Sequence, residues 1–335
     1  MSYTKEKEVA LAATTAAAKL CQQIRQHQAT QTIAKADASP VTVADFGAQA
    51  IICQFLAAAF PQDSAIAEEN ATMLQQPELS SHLTAITKQV QTIIPNADKN
   101  KVIDWINWGN GSMAACGEPS RTERYWTLDP IDGTKGYIRG DQYAIALALV
   151  EEGEVKLGIL GCPALPLDGN APEGEKGVLF LGVKGEGTRA IALNTKKTQE
   201  VRVNQFTNAE SFQLIESVES AHSDRDAQQA LANLLGFTRT PKKMDSEAKY
   251  GAVARGEADL YVRIPIPSAA NRKDNIWDHA AGVIVLEEAG GCVTDLDGKV
   301  LDFGVGAKLL NNRGIVASLG GEIHQRIVKA ISTIN

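Results

Sequence analysis

Residues 125–136, which read Tyr-Trp-Thr-Leu-Asp-Pro-Ile-Asp-Gly-Thr-Lys-Gly, restrict the possible fold of this chain more than any other segment. The apolar start of the segment predicts a buried β-strand. Pro130 fixes φ and lacks an amide donor, so we expect the chain to leave the sheet at Asp129. Gly133 then permits a tight turn in which the backbone approaches a ligand closely. The segment therefore predicts a strand that ends in two carboxylates.

The predicted turn offers hard oxygen ligands on one side. Asp129 and Asp132 supply carboxylates, and Ile131 supplies a carbonyl between them. Mg²⁺ prefers such ligands, so this spacing is compatible with a metal site. An Asp-Gly pair after an apolar run is also an ordinary turn without any function. Spacing alone leaves both interpretations open.

The charge pattern favours a small substrate over a polymer. The 335 residues carry a net charge of −7, and the lysines and arginines form no block. We therefore expect no binding to nucleic acid or to acidic membranes, although a small anion needs only a local positive pocket. The N-terminus is too charged for a secretory signal, and no apolar run reaches the about 20 residues of a membrane span. Five dispersed cysteines without a Cys-x-x-Cys pair favour a reducing compartment, and we expect a cytoplasmic protein.

The order of the predicted elements indicates an α/β protein, layered as α+β in its first part. Helices are predicted at 4–29 and 46–60 and a strand at 64–67, followed by a polar, largely helical insertion at 71–120 that is a lid or an inert surface excursion. A strand meander is expected at 143–150, 155–162 and 177–183. Strands and helices then alternate at 212–218, 226–235, 246–255, 258–264 and 275–288. We expect a larger N-terminal α+β lobe at 1–200 and a smaller C-terminal α/β lobe at 201–335.

Several polar residues elsewhere allow a structural and a functional interpretation. Asp45 and Asp278 stand near predicted helix starts, where an acid can stabilise the helix by about 1 kcal/mol. Glu68-Glu69 follows a predicted strand, although paired glutamates are usually solvated. His222 is a lone histidine, which is more often a surface residue than a ligand-binding one.

Two strings resemble the signatures of a known family. Asp-Pro-Ile-Asp-Gly-Thr at 129–134 and Trp-Asp-His-Ala-Ala-Gly at 277–282 are similar to those of the inositol monophosphatase superfamily of lithium-sensitive, Mg²⁺-dependent phosphatases. The longer string at 126–143, with Lys-Gly at 135–136 and Arg-Gly at 139–140, resembles the 3′(2′),5′-bisphosphate nucleotidase branch. The resemblance covers essentially the whole chain and implies an αβαβα sandwich. One departure is Ala67, which stands where the family usually has glycine before the two glutamates.

The resemblance also implies which residues form the site. Glu68, Asp129, the Ile131 carbonyl, Asp132 and Asp278 would hold two or three Mg²⁺ ions, because converging carboxylates repel one another unless cations neutralise them. Asp45 would hydrogen-bond Thr134, and this catalytic pair would orient the attacking water. The substrate would contact Gly133, Thr134, His222, Ser246, Lys249, Arg263 and Asp278.

From the same resemblance we expect a monomeric phosphomonoesterase. It would convert adenosine 3′,5′-bisphosphate to AMP and phosphate without a phosphoenzyme, and it would also accept 3′-phosphoadenylyl sulfate. Li⁺ would inhibit at a Mg²⁺ position, as would Na⁺ and Ca²⁺. Two alternatives stay open: an inositol polyphosphate 1-phosphatase acting on inositol 1,4-bisphosphate, and a nucleotide sensor of the same fold that turns nothing over.

Overall fold

The computed structural model describes residues 3–27, 32–34, 40–110, 124–169, 171, 173–219, 223–269 and 271–334. His222 and the end of the predicted insertion, from 111 onward, lie outside the described residues. The helices are α1 (Thr4–Gln26), α2 (Val43–Ala59), α3 (Ser80–Gln91), α4 (Lys99–Trp108), α5 (Thr134–Arg139), α6 (Arg225–Leu235), α7 (Ala248–Ala254), α8 (Ala280–Glu288) and α9 (Gly321–Ile334). None of the helices in these ranges is both long and apolar enough to span a bilayer.

A short antiparallel pair, β1 (Thr32–Ala34) and β2 (Pro40–Thr42), precedes α2. The strands of the large sheet follow: β3 (Ser64–Ala67), β4 (Arg124–Asp132), β5 (Ala144–Glu151), β6 (Glu154–Pro166), β7 (Lys176–Val183), β8 (Gly187–Ala192) and β9 (Thr198–Val201). They lie side by side in chain order, with β3 parallel to β4 and the others antiparallel. The predicted strand at 64–67 and the predicted meander are confirmed.

A second sheet is built from the C-terminal part of the chain. Its strands are β10 (Leu214–Glu216), β11 (Lys242–Lys243), β12 (Leu260–Arg263), β13 (Cys292–Thr294) and β14 (Ile315–Ser318). They lie in the order β11-β10-β12-β14-β13. Strand β10 is parallel to both of its neighbours, whereas β14 is antiparallel to β12 and β13.

Alternation of side chains along β5 explains how the layers form. Ile145 and Leu147 point to the face covered by α1 and α2, while Ala144 and Ala146 point to the opposite face. On that side α8 packs across β5, β6 and β7 and also contacts β13, so α7 and α8 lie between the two sheets. Helices α6 and α9 cover the outer face of the small sheet. These layers confirm the predicted αβαβα sandwich.

Two local predictions are wrong. The chain does not leave the sheet at Asp129, because β4 continues to Asp132 through an irregularity of register that takes up Pro130. A bulge tolerates proline, since the unpaired position needs no amide donor. The helix predicted at 275–288 is also interrupted: a single 3₁₀ turn spans Ile276–Asp278, and His279 separates it from α8.

Candidate metal and phosphate site

A cleft of about 260 Å³ opens at the turn after β4, facing the segments that precede α7 and α8. The predicted site residues in its wall are Glu68, Asp129, Ile131, Asp132, Gly133, Thr134, Ser246, Lys249, Arg263 and Asp278. Asp45 lies outside the wall but contacts Thr134. Segments far apart in the chain therefore meet at one cleft.

The bulge in β4 presents oxygen atoms of nearby residues to the cleft. Asp129 is only 3% exposed, and its Oδ1 accepts the Ile131 N–H at 3.0 Å. Asp132 Oδ2 accepts the N–H of Glu247. Because residues 129–132 depart from regular pairing, both carboxylates and the Ile131 carbonyl reach the same side.

The carboxylates of the cleft repel one another. Burial, and then the charges of Glu68 and Asp132, raise the pKa of Asp129 well above its ordinary value. Burial and the neighbouring Asp132 raise the pKa of Asp278 to about 8, against an opposing effect of Arg263. A bound cation would relieve this repulsion and displace the protons that otherwise neutralise the carboxyl groups.

The donor atoms suit Mg²⁺, because the cleft offers carboxylate and carbonyl oxygens and its described wall contains neither cysteine nor histidine. Within the ranges described above, no three His, Cys, Asp or Glu side chains stand close enough together to hold one ion. Asp132 and Asp278 instead accept hydrogen bonds from Glu247 N–H and Asn275 Nδ2. Metal binding therefore requires the carboxylates to move closer together than they stand here, and each has a second oxygen that can meet the ion.

Asp45 serves both as a capping residue and as a partner of Thr134. Its Oδ2 accepts the N–H and the hydroxyl of Thr42, at 2.8 and 2.6 Å, in a capping box at the start of α2. Its Oδ1 accepts from Thr134 Oγ1 at 3.3 Å, so the expected hydrogen bond is present. The same hydroxyl lies 3.1 Å from Ile131 O. Since Thr134 has one proton to donate to these acceptors, its lone pairs can accept from a water molecule.

The turn after β4 packs directly on the segment that leads into α7. Gly133 has φ +84°, and a Cβ at this position would lie 3.0 Å from Ser246 Cβ. Ser246 itself has φ 68°, a left-handed conformation that is unfavourable for a residue with a Cβ. A residue in the left-handed conformation cannot be part of a right-handed helix. The helix α7 therefore begins at Ala248 rather than at the predicted Ser246.

Two acidic residues beside Ser246 also line the cleft, although no sequence pattern marked them. Glu247 is 2% exposed, its Oε2 accepts the Gly282 N–H at 2.8 Å, and its own N–H donates to Asp132. Asp245 accepts a charged hydrogen bond from Arg139. The contacts of Glu247 with Asp132 and of Asp245 with Arg139 join residues that are more than 100 positions apart, so no local spacing could have indicated them.

Two basic side chains are buried beside the carboxylates. Burial lowers the pKa of Lys249 to about 8, and its Nζ donates to Ser246 O at 2.7 Å. Arg263 forms an ion pair with Asp274 at 2.9 Å. The structure thus brings Ser246, Lys249 and Arg263 to one cleft, whereas His222 lies outside the described residues.

Comparisons with known proteins identify the family of the chain. The model of the inositol monophosphatase family matches residues 3–335. A 3′(2′),5′-bisphosphate nucleotidase of Schizosaccharomyces pombe is 40% identical over 346 residues, which cover 100% of this chain and 97% of the relative. A 3′(2′),5′-bisphosphate nucleotidase of Oryza sativa is 39% identical, with 98% of this chain and 94% of the relative covered. Among solved structures, an IMPase of Thermotoga maritima is 22% identical with a TM-score of 0.65, covering 98% of this chain and 97% of that one.

Proposed function

The chain belongs to the inositol monophosphatase family, and from this premise we propose that it hydrolyses the 3′-phosphate of adenosine 3′,5′-bisphosphate to give AMP and inorganic phosphate. The observation that carries the proposal is the meeting of Glu68, Asp129, Asp132 and Asp278 in one cleft. The full-length similarity to proteins named 3′(2′),5′-bisphosphate nucleotidase supports the choice of substrate. A second substrate is 3′-phosphoadenylyl sulfate, which carries the same 3′-phosphate.

Members of this family are Mg²⁺-dependent phosphatases. We propose that Glu68, Asp129 and the Ile131 carbonyl would hold one ion. Asp129, Asp132 and Asp278 would hold a second, and a third ion would complete the metal site. When bound, Mg²⁺ neutralises phosphoryl charge and makes a water molecule more acidic. Inhibition by Li⁺, Na⁺ and Ca²⁺ would follow if these ions replaced Mg²⁺ in the cleft.

The chain's own groups act on the water and on the phosphoryl oxygens. Thr134 Oγ1 donates towards Asp45 or Ile131 O and accepts a hydrogen bond from the water, which orients a lone pair of that water towards phosphorus. The N–H groups of Gly133 and Thr134 open α5, so they have no acceptor within the helix and can donate to the transferred phosphoryl group. Water attacks phosphorus directly and the ester bond to the 3′-oxygen breaks; a proton leaves the attacking water and one reaches the 3′-oxygen, which becomes the hydroxyl of AMP, so no phosphoenzyme forms.

The rest of the nucleotide would meet Ser246, Lys249 and Arg263, together with His222. Lysine supplies a point charge and arginine a planar fork, and both suit phosphate. We propose that these residues belong to a C-terminal lobe of residues 201–335, while the ligands on β3 and β4 belong to an N-terminal lobe of residues 1–200. We also propose that the protein works as a monomer in the cytoplasm, without nucleic acid or membrane partners.

The described part of the insertion at 71–120 has a packing function besides any action as a lid. Ile86 and Ile106 are fully buried, and α3 and α4 pack on α2. Ala67 N–H donates to Gly109 O at 2.8 Å, immediately before Glu68. We propose that the insertion holds the end of β3 and thereby positions Glu68.

A phosphate-release panel tests the proposed function. Wild-type protein and Asp132→Ala would be compared on adenosine 3′,5′-bisphosphate, 3′-phosphoadenylyl sulfate and inositol 1,4-bisphosphate, with and without Li⁺. We expect Mg²⁺-dependent release from both nucleotides, a loss of about 100-fold or more in Asp132→Ala, and inhibition by Li⁺. Preference for the inositol substrate would instead identify an inositol polyphosphate 1-phosphatase. Equal, negligible release by both proteins would indicate a sensor.

A further inference from the structure

The cleft wall contains acidic residues besides the proposed Mg²⁺ ligands. In the part of the wall that the structure describes, these are Glu219, Asp245 and Glu247. Glu247 accepts the Gly282 N–H in the first turn of α8, where the helix dipole offsets a negative charge. Ionised Glu219 and Asp245 would repel an anionic substrate in this cleft unless a cation neutralised them.

The cation beside Glu219 and Asp245 is Arg139, at the end of α5. Its Nη1 donates to Glu219 Oε1 at 2.7 Å, and its Nη2 donates to Asp245 Oδ2. Its Nε donates to Asp141 Oδ2 at 3.0 Å. Lys135 adds a longer contact, since its Nζ lies 3.4 Å from Glu219 Oε2. One guanidinium therefore pairs with both acidic residues, although Arg139 itself lies outside the described wall of the cleft.

The packing of α5 brings Asp245 within reach of Arg139. Gly136 lies one turn before Arg139, and a Cβ at position 136 would stand 2.7 Å from Asp245 Oδ2. A larger residue at this position would therefore push Asp245 away from α5. The Asp245 side chain is 5% exposed, so without Arg139 its carboxylate would be a buried charge without its closest cation. The pair is thus fixed by the fold, unlike an ion pair between two exposed side chains.

The position of the two carboxylates explains why an arginine stands there. Helix α5 follows β4 of the large sheet, whereas Glu219 follows β10 and Asp245 follows β11 of the small sheet. Strands β10 and β11 are parallel, so both carboxylates lie beyond the same edge of that sheet. The guanidinium has five donors in a planar fork and can bond both acceptors at once, whereas a lysine ammonium is a single point charge.

We propose that Arg139 is a positioning residue that acts through Glu219 and Asp245: it neutralises both carboxylates and thereby lets the cleft accept an anionic substrate. The inference rests on the proposed function for the identity of that substrate. The hydrogen bonds of Arg139 described above go to Glu219, Asp245 and Asp141 rather than to Thr134. Its loss should therefore raise KM and leave kcat unchanged.

Two arginines with three carboxylate partners each provide the test. For Arg139→Gln, we expect KM for adenosine 3′,5′-bisphosphate to rise about five- to tenfold, the effect of one uncompensated charge near a protein surface, with kcat within about twofold. Arg139→Lys should recover part of the loss, because it keeps the charge without the fork. Arg124→Gln is the matched control and should leave KM unchanged, since the partners of Arg124 lie outside the cleft wall: Glu6, Asp63 and Glu151.

Removal of the carboxylates as well separates a charge effect from a loss of structure. A triple variant, Arg139→Gln with Glu219→Gln and Asp245→Asn, has no charge left to neutralise, so its KM should return to within about twofold of the wild type. The rise in KM for Arg139→Gln should also shrink when tetramethylammonium chloride raises the ionic strength from about 0.05 to about 0.5 M. A KM that stays high in the triple variant, or a rise that salt does not change, would overturn the proposal.

Calorimetry of AMP binding in the presence of Mg²⁺ gives a readout without turnover. We expect Arg139→Gln to bind AMP about five- to tenfold more weakly than the wild type and Arg124→Gln to bind it equally well. Unchanged AMP affinity in Arg139→Gln, or a fall in kcat at unchanged KM, would overturn the assignment of Arg139. If the wild type released no phosphate from the bisphosphate but bound AMP more tightly than Arg139→Gln, the proposed function would fall and this assignment would stand. Absence of AMP binding to the wild type would overturn both.

Discussion

Asp45→Asn separates the two functions of the Asp45 carboxylate, which caps α2 and accepts a hydrogen bond from Thr134. The asparagine can keep its oxygen on Thr42, which supplies two donors at 2.8 and 2.6 Å. Its amide nitrogen then faces Thr134, where the native Oδ1 accepts at 3.3 Å. A nitrogen donor at this position takes one of the two lone pairs of the Thr134 hydroxyl and removes the negative charge beside it, so Thr134 holds and polarises the water less well.

The expected losses differ sharply between activity and stability. Removing an acid–base relay of this kind lowers kcat by about 10²- to 10⁴-fold, which corresponds to about 2.7–5.4 kcal/mol of transition-state stabilisation. The capping box keeps its geometry, so the free energy of unfolding should fall by no more than about 1 kcal/mol. In a chain of this size that is a decrease in Tm of about 2 °C. The Mg²⁺ concentration for half activity should stay within about twofold, since Asp45 lies outside the cleft wall.

The assay is a double-mutant cycle on kcat with Asp45→Asn, Thr134→Val and the double variant. If the two residues act as one unit, the double variant should be about as slow as the slower single variant. Thr134→Ser, which keeps the hydroxyl, is the matched control and should retain most of the activity. Losses that multiply in the double variant, or an Asp45→Asn protein with more than about half of the wild-type kcat, would refute the relay.

Three further outcomes follow from the same geometry. Gly133→Ala should lower the free energy of unfolding by about 1–2 kcal/mol in urea and should lose more than Gly185→Ala, because both glycines have positive φ but only Gly133 faces Ser246 at 3.0 Å. Raising the pH through about 8 removes the proton from Lys249, so KM for the bisphosphate should rise there, and Lys249→Arg should keep it flat. Mg²⁺ binding at pH 7 should release about one proton from Asp278, because the pKa of this carboxyl group is raised to about 8. Calorimetry in buffers of different ionisation enthalpy measures this release, and Asp278→Asn should release less. Equal proton release by both proteins would contradict the prediction.

Sequence patterns predicted those strands and turns that are determined by neighbouring residues in the chain. Apolar runs bounded by glycine and proline predicted the strand at Ser64–Ala67, the meander and the turn at Gly133. The rule for proline failed at Pro130, because it assumes a regular ladder, and β4 has an irregular register at that position. The layered fold was predicted from the family resemblance rather than from periodicity.

Sequence patterns did not indicate the parts of the site that depend on distant contacts. The left-handed backbone of Ser246 is held by packing on Gly133 rather than by any turn signal of its own. Glu247 reaches Asp132 across 115 positions, and a glutamate before an apolar helix resembles any solvated residue.

Anomalous diffraction from crystals soaked in Mn²⁺ tests the central claim most directly, because it locates the ion without reference to turnover. We expect at least one strong peak in the cleft, with oxygens of Asp129 and Asp132 and of Glu68 or Asp278 at about 2.0–2.3 Å. Peaks only at other surfaces, or an empty cleft at saturating Mn²⁺, would contradict the assignment of these carboxylates to a divalent-cation site.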